Sequence, residues 1–307
     1  MRILSALLLT ASLLHTGVLY AQKGKDDNAE LMAMLDETAP NKKDYTSATF
    51  KSTRLINGHT IENVAPGVLD FRIGHRFGEV RDGAYGFFGL DGASTLLGLD
   101  YGINRWLMVG INRSTYQKEY EGFFKAKILR QTENAGMPLS LSYMGAVSIQ
   151  TVTGPSLPAG QEYYFSNRMF FVNQLLIARK FNKWLSLQLM PTHIHYNLVP
   201  TTGEPNDLIA IGVGGRIKLN SRIALTSEYY YRVTQLEGYV NAFSVGIDIE
   251  TGGHVFQLMF TNATAMTERA FIGQSGSDWA NGGIHFGFNI SRVFTIVRPK
   301  EFQGTKW

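Results

Sequence analysis

The chain contains no cysteine. This absence excludes disulfide bonds, thiolate metal sites, lipid attachment at a cysteine and covalent haem attachment through cysteine pairs. Charged residues are also scarce, at 18% of the 307 residues, whereas soluble domains carry about 25%. The formal net charge of +4 is small and its basic residues are scattered along the chain. We therefore predict no nucleic-acid partner, because such partners require a concentrated basic surface.

Long hydrophobic runs are missing as well, apart from one near the N-terminus. That run, Ile3–Leu14, is shorter than the roughly 20 residues that a membrane-spanning helix needs. Arg2 precedes it, and Leu19-Tyr20-Ala21 forms a cleavage pattern before Gln22. These three features together are typical of a secretory signal peptide. We predict that residues 1–21 are a cleaved signal peptide and that the mature protein is exported; an uncleaved anchor helix is the alternative.

From Val68 onward, apolar and polar residues alternate. The clearest example is Phe243–Asn262, where alternating runs flank Gly252 and Gly253, the pattern of an antiparallel hairpin. About twelve stretches of this kind follow one another, each near the 9–11 residues of a tilted membrane strand. Arg168–Lys180 is apolar on both faces, and we expect a β-bulge there.

The predicted connections alternate in length. Short turns are expected at Asn104-Arg105, Lys180–Lys183, Asn220-Ser221 and Thr251–Gly253, and longer loops at residues 78–92, 154–162, 199–207, 235–239 and 263–281. Short turns at one end and long loops at the other are typical of outer-membrane barrels. A secreted β-sandwich, the alternative, gives no reason for this alternation. The predicted fold is therefore all-β, an antiparallel transmembrane up-and-down β-barrel of about twelve strands.

The barrel is predicted to occupy residues 68–295, with a C-terminal tail over residues 296–307. Residues 22–67 begin as a polar stretch and are predicted to form an N-terminal linker. This linker would lie in the periplasm or enter the mouth of the barrel. Within it, Glu30–Asp36 has the length of two helical turns, which is too short for a stable isolated helix.

Six stretches resemble an uncharacterised family of outer-membrane β-barrel proteins from Bacteroidota. They are Arg54–His59, Leu69–Ile73, Gln174–Lys180, Asp248–Phe256, Met266–Phe271 and His285–Arg292. The resemblance implies a barrel in the cell outer membrane, where the surrounding partner is lipid. It carries no assigned activity, so it transfers no functional residue.

If the apolar faces contact lipid, a nearly balanced set of ionisable residues lines the lumen. The set is Asp70, Arg72, Arg76, Asp100, Glu121, Lys125, Lys127, Arg216, Lys218, Glu228, Arg232, Asp248 and Glu250. A barrel of about twelve strands is narrower than the 16–18-stranded porins, and charges that lose their water must be paired. We predict a lumen largely closed by ion pairs, and narrowed further by the Gly83–Gly92 loop or by the N-terminal segment.

No catalytic or cofactor set stands out. His193 and His195 share one face of a strand and could bind a metal ion, but no third ligand is near in sequence, so we predict an interfacial polar pair. Ser142 and Ser148 have no histidine at neighbouring strand spacing, and no serine lies two residues from His285, although a Ser–His site assembled across strands stays open as an alternative. The Gly83–Gly92 loop lacks the Lys-Ser/Thr pair of a phosphate cradle, and its aromatic residues could point inward or outward. We predict no cofactor, no metal ion and no catalytic residue.

Two classes of function remain open. The first is a non-enzymatic role, as a narrow or plugged conduit or as a scaffold for a periplasmic protein partner. The second is a membrane-embedded hydrolase that acts on lipid or peptide. The missing catalytic set favours the first class.

Overall fold

The computed structural model describes residues 44–134, 136–154, 162–199, 201 and 203–297. The predicted signal peptide, residues 22–43 of the predicted linker and residues 298–307 of the predicted tail lie outside this part of the chain. No helix among the described residues is long and apolar enough to cross a membrane.

Twelve antiparallel strands close into a barrel, which confirms the predicted fold. They are β1 (Val68–Glu79), β2 (Ala93–Gly102), β3 (Leu107–Ser114), β4 (Glu119–Leu129), β5 (Ser140–Gln150), β6 (Met169–Lys180), β7 (Leu185–Tyr196), β8 (Asp207–Lys218), β9 (Ile223–Arg232), β10 (Ala242–Thr251), β11 (His254–Thr261) and β12 (His285–Thr295). Each strand pairs with its neighbours in sequence, and β1 pairs with β12 to complete the ring. One α-helix, α1 (Glu268–Gly273), lies between β11 and β12. Short 3-10 helices occupy Val80–Asp82, Phe87–Gly89, Tyr116–Lys118, Phe165–Arg168 and Trp279–Asn281.

The side chains of each strand alternate between the interior and the outer face. In β9, for example, Glu228 and Tyr230 are buried inside the barrel, whereas Leu225 and Tyr231 are exposed on its outer face. Because neighbouring residues of a strand point to opposite faces, this alternation places polar groups inside and apolar groups outside.

The bulge expected in Arg168–Lys180 is wrong. Strand β6 keeps one register with both of its neighbours, and register shifts occur instead between Arg76 and Glu79 and between Lys127 and Leu129. The second apolar face of β6 has another cause. Its inward residues, such as Phe170 and Leu176, belong to a hydrophobic core inside the barrel.

One end of the barrel, which we call the turn end, carries the tight connections. Three of them share a device: the side-chain oxygen of Asn104, Asn182 or Asn220 accepts the backbone N–H groups two and three residues later at 2.8–2.9 Å. An asparagine side chain stabilises a turn in this way. In the fourth, Gly252 and Gly253 have φ values of 38° and 125°, which favour glycine. The opposite end, which we call the loop end, carries most of the longer connections. There are two exceptions: the short link between β3 and β4 lies at the loop end, and the longer connection between β4 and β5 lies at the turn end.

The interior is filled by two inserted segments. The first, residues 45–67, which we call the plug, bridges Thr132 near its start and Gly102 near its end, so it enters and leaves at the turn end. The predicted linker therefore lies, over these residues, inside the barrel. The second, residues 262–275, which we call the inserted loop, carries α1 inward from the loop end, and all six residues of α1 are buried.

The Gly83–Gly92 loop does not narrow the lumen. Tyr85, Phe87 and Phe88 on this loop are all exposed. Of the two segments predicted to narrow the lumen, the structure places the N-terminal one inside and directs the aromatic loop outward. The inserted loop was not predicted to enter the barrel.

Candidate functional site

The tip of the plug is held by one carboxylate of the barrel wall. Glu228 accepts the backbone N–H groups of Ile56, Asn57 and Gly58 at 3.3, 2.8 and 3.2 Å. Consecutive N–H groups in a turn form a concave site for an anion, and hydrogen bonds to a charged acceptor are stronger than neutral ones. A Cβ atom on Gly58 would lie 2.0 Å from the hydroxyl oxygen of Tyr230. The close approach of the tip to the wall therefore requires glycine.

Three amide side chains of the wall bind the plug backbone on either side of the tip: Gln188, Gln257 and Asn289. Gln188 accepts the N–H of Ile61 at 2.8 Å and donates to the carbonyl of His59 at 2.7 Å. Buried backbone groups need hydrogen-bond partners. These amides supply the partners that a neighbouring strand would supply in a sheet.

Charged residues of the plug pair with charged residues of the wall. The buried Arg54 lies 3.1 Å from Asp100, and Asp100 also accepts the hydroxyl of Thr53 at 2.9 Å. Nearer the turn end, two further pairs of opposite charge join plug to wall: Lys51 with Glu250 at 2.5 Å and Glu62 with Lys127 at 3.9 Å. The inserted loop does the same, since Arg269 forms a fully buried ion pair with Glu119.

The structure places the ionisable residues predicted to line the lumen on the inner face of their strands. Nine are buried: Asp70, Arg72, Arg76, Asp100, Glu121, Lys125, Glu228, Arg232 and Asp248. Lys127, Arg216, Lys218 and Glu250 are partly buried closer to the turn end.

The partners of these residues differ from the predicted ones. Among the described residues, Asp100, Lys127 and Glu250 of the wall form salt bridges, and in each case the oppositely charged partner belongs to the plug. Other wall charges bind neutral groups, as the guanidinium of Arg76 does with the side-chain oxygen of Asn57 at 2.7 Å. The prediction that wall charges close the lumen by pairing with one another is therefore wrong for these residues, because inserted segments occupy the space between them.

The plug and the inserted loop meet at His59 and Glu268. The backbone N–H of His59 donates to the Glu268 carboxylate at 3.2 Å, and the imidazole Nε2 lies 3.7 Å from the same oxygen. Burial raises the pKa of Glu268 to about 7, and burial lowers the pKa of His59 well below its usual value. The contact that closes the lumen from both ends therefore contains a carboxyl group that exchanges its proton near neutral pH.

The predicted polar pair His193 and His195 lies on the outer face near the loop end. Both imidazoles contact the same oxygen of Asp207 at 2.8 Å. Asp207 comes from the adjacent strand β8, so its approach is invisible in the linear spacing. Among the described residues, no group of three His, Cys, Asp or Glu side chains is arranged to hold a metal ion.

A serine and a histidine that sequence spacing did not connect come together at the loop end. The hydroxyl of Ser277 lies 3.0 Å from Nε2 of His285, and Nδ1 of His285 lies 2.9 Å from the carbonyl oxygen of Phe77. The same hydroxyl donates to Glu79 at 2.5 Å.

A family model described as "Membrane bound beta barrel domain (DUF5777)" matches residues 50–294. The match includes most of the plug as well as the strands.

Solved structures with a similar barrel include the KdgM porin in complex with disordered oligogalacturonate, at 9% identity and a TM-score of 0.45 over 74% of this chain and 99% of that chain. Omp33, an outer membrane protein of Acinetobacter baumannii, has 7% identity and a TM-score of 0.38 over 74% and 97% of the two chains. LpxR from Salmonella typhimurium has 10% identity and a TM-score of 0.36 over 74% and 100%. These likenesses concern the fold alone. No curated protein matches the sequence.

Proposed function

The chain belongs to this family of membrane-bound β-barrel domains, and we propose that it is a plugged conduit of the outer membrane that is closed at rest by its own N-terminal segment. In this proposal the signal peptide exports the chain, and the turn end with its short connections faces the periplasm, as in bacterial outer-membrane barrels. The role is not enzymatic.

The observation that carries the proposal is the burial of the plug. Phe50, Leu55 and Ile61 are no more than 3% exposed. Burying each side chain of this kind contributes about 1.5–3 kcal/mol, so about 5–9 kcal/mol together. Withdrawal of the plug would expose these side chains to water, and the conformational entropy that the plug regains would offset part of that cost.

Opening therefore needs an external agent. Both ends of the plug lie at the turn end. A periplasmic protein that binds the chain there could pull the plug out of the barrel, or the plug could anchor that protein at the membrane. In this proposal the plugged conduit is the barrel without its periplasmic partner, and the scaffold is the same barrel with the partner bound at the turn end.

Planar-bilayer conductance tests the closed state. The purified chain should show rare or small openings, and a variant that lacks residues 46–65 should show large, stable ones. A control variant that lacks residues 84–90, a loop segment most of whose residues are exposed, should behave as the parent does. Large openings of the parent chain would contradict the plugged state. Glu228→Ala, which removes one anchor without deleting chain, keeps the test available if the deletion variant does not fold.

Location has its own measurement. The mature chain should begin near Gln22 and fractionate with the outer membrane. Recovery of the mature chain from the soluble periplasmic fraction would contradict the proposed location.

A membrane-embedded hydrolase is the second candidate, favoured by the 3.0 Å contact between Ser277 and His285. Ser277 would act as the nucleophile and His285 as its general base. Release of a labelled acyl group from outer-leaflet lipid by the refolded chain, lost in Ser277→Ala, would support this candidate over the conduit. Equal release by both chains, or none, would count against it.

A further inference from the structure

The two ends of the barrel carry opposite charge. Among the described residues of the barrel, the exposed basic side chains at the turn end are Arg105, Arg130, Arg179, Lys183, Arg222 and Arg292, and the exposed acidic one there is Glu133. At the loop end the balance is reversed. Of the residues that the structure describes there, the exposed acids are Asp82, Asp91, Glu162, Asp207 and Glu237, and the exposed bases are Arg81 and Lys118. The small net charge of the whole chain hides this asymmetry.

At the turn end, part of the basic surface lines a groove of about 660 Å³. The groove runs between the β4–β5 connection and the β6–β7 turn. Its basic lining residues are Arg179, Lys180 and Lys183, its acidic one is Glu133, and Phe181 adds an exposed ring.

This groove reaches from the outer face of the barrel into its mouth. Arg179 and Phe181 are exposed, whereas Thr46, which also lines the groove at the start of the plug, is partly buried. The ammonium group of Lys180 donates to the carbonyl of Ser47 at 2.8 Å. A lipid headgroup beside the barrel would reach the outer part of the groove but not its inner part.

We propose that the turn end is a docking surface for an acidic segment of a periplasmic protein, with this groove at its centre. Charge complementarity guides such an encounter and sets its specificity. The basic residues are spread around the rim, so they fit an extended chain better than a small anion. An occupant of the groove would contact the barrel next to residues 46 and 47, where the plug enters. The partner that binds here is thereby placed to act on the plug, a consequence that rests on the proposed function.

The test measures binding of a labelled peptide to the full chain in phosphatidylcholine nanodiscs. The probe is a fluorescent 12-residue peptide of alternating Glu and Gly with one central Leu, and its control replaces every Glu with Gln. The chain should bind the acidic probe saturably and ignore the control. Arg179→Glu with Lys183→Glu should weaken binding about tenfold, because the two changes remove two exposed ion pairs with the peptide, each of which contributes modestly. Both residues are exposed, so the variant should fold.

The matched control is Arg81→Glu with Lys118→Glu, which changes the net charge equally but at the loop end. Equal weakening by both double variants would show that only net charge matters and would overturn the proposal, as would a lack of saturable binding. Loss of peptide binding when phosphatidylglycerol replaces half of the phosphatidylcholine would assign the groove to lipid headgroups instead. Peptide binding does not depend on conductance, so this inference can fail while the plugged conduit stands, or the reverse.

Discussion

Replacing Glu228 with alanine is expected to unseat the plug and leave the barrel folded. The substitution removes the acceptor of three backbone N–H groups at the tip. A buried donor without a partner costs about 1–3 kcal/mol, so three donors cost about 3–9 kcal/mol. Water can enter the space left by the side chain and satisfy some of them. The expected loss in the free energy of plug seating is therefore about 3–5 kcal/mol.

Hydrogen–deuterium exchange measures this loss directly. The amides of residues 55–61 should exchange at least about a hundredfold faster in Glu228→Ala, because 3 kcal/mol exceeds two factors of ten. Amides in the β1–β12 ladder should keep their protection, and bilayer recordings should show more frequent openings.

The matched control is Glu250→Ala, which removes the partner of Lys51 in a salt bridge whose side chains are about one-third exposed. Partly exposed pairs of this kind contribute about 0.2–1 kcal/mol, so plug exchange should rise less than about tenfold. Equal exchange in the two variants would refute the assignment of Glu228 as the main anchor. Loss of protection throughout the strands would instead show that the plug and the barrel unfold as one unit.

Three further tests concern the tip of the plug, the outer face of the barrel and the contact between His59 and Glu268. Gly58→Ala should speed hydrogen–deuterium exchange of the plug amides, because the added methyl group meets the Tyr230 hydroxyl. Adding Tyr230→Phe to this variant should restore slow exchange. Failure of that rescue would point to backbone strain at position 58. Ile247→Lys places a charge on the lipid-facing side and should destabilise the barrel in lipid by about 2–4 kcal/mol. Gly246→Lys lies on the inner face and should mainly disturb the plug. Equal effects of the two variants on thermal unfolding would contradict the assigned faces. Burial raises the pKa of Glu268 to about 7. The carboxyl group therefore keeps its proton up to a higher pH when the inserted loop is seated than when the loop is released. Exchange of the inserted loop, relative to that of Glu268→Gln, should therefore increase as pH rises from about 4.5 to about 7 and level off above that. Identical pH profiles of the two chains would exclude Glu268 as the cause.

The strand pattern was predictable because alternation is a local property. A strand such as β10 records its two faces in consecutive residues, since Val245 and Ile247 point outward and Ser244 and Asp248 point inward. Turn positions follow for the same reason, because Asn104 and Gly252 act on residues next to them. The twelve strands and their two kinds of connection could thus be read without knowledge of any distant contact.

The sequence shows the local turn of the plug but not its binding partner in the barrel wall. The Asn57-Gly58 pair is typical of a turn, and the chain around it alternates in part between apolar and polar residues, but neither feature shows what the segment contacts. Its partner, Glu228, lies 170 residues from Gly58, and no local pattern links a single glutamate to a distant turn. The inserted loop was harder still. Glu268 and Arg269 are charged residues, which local rules assign to a solvated surface, and their burial becomes acceptable only beside Glu119 and the plug.

The filled lumen also explains why the phase of β6 could not be read. A water-filled barrel carries polar residues inside, but here Val172, Leu176 and Ile194 point inward and are buried. They pack with the plug and the inserted loop in one hydrophobic core, as the two layers of a soluble domain do. A wall of this kind would be exposed to water by withdrawal of the plug. The free energy gained by burying the inner wall therefore adds to that gained by burying the plug. Closure of the conduit is in this way part of the stability of the fold. Any agent that opens the conduit must supply the free energy of exposing both the wall and the plug.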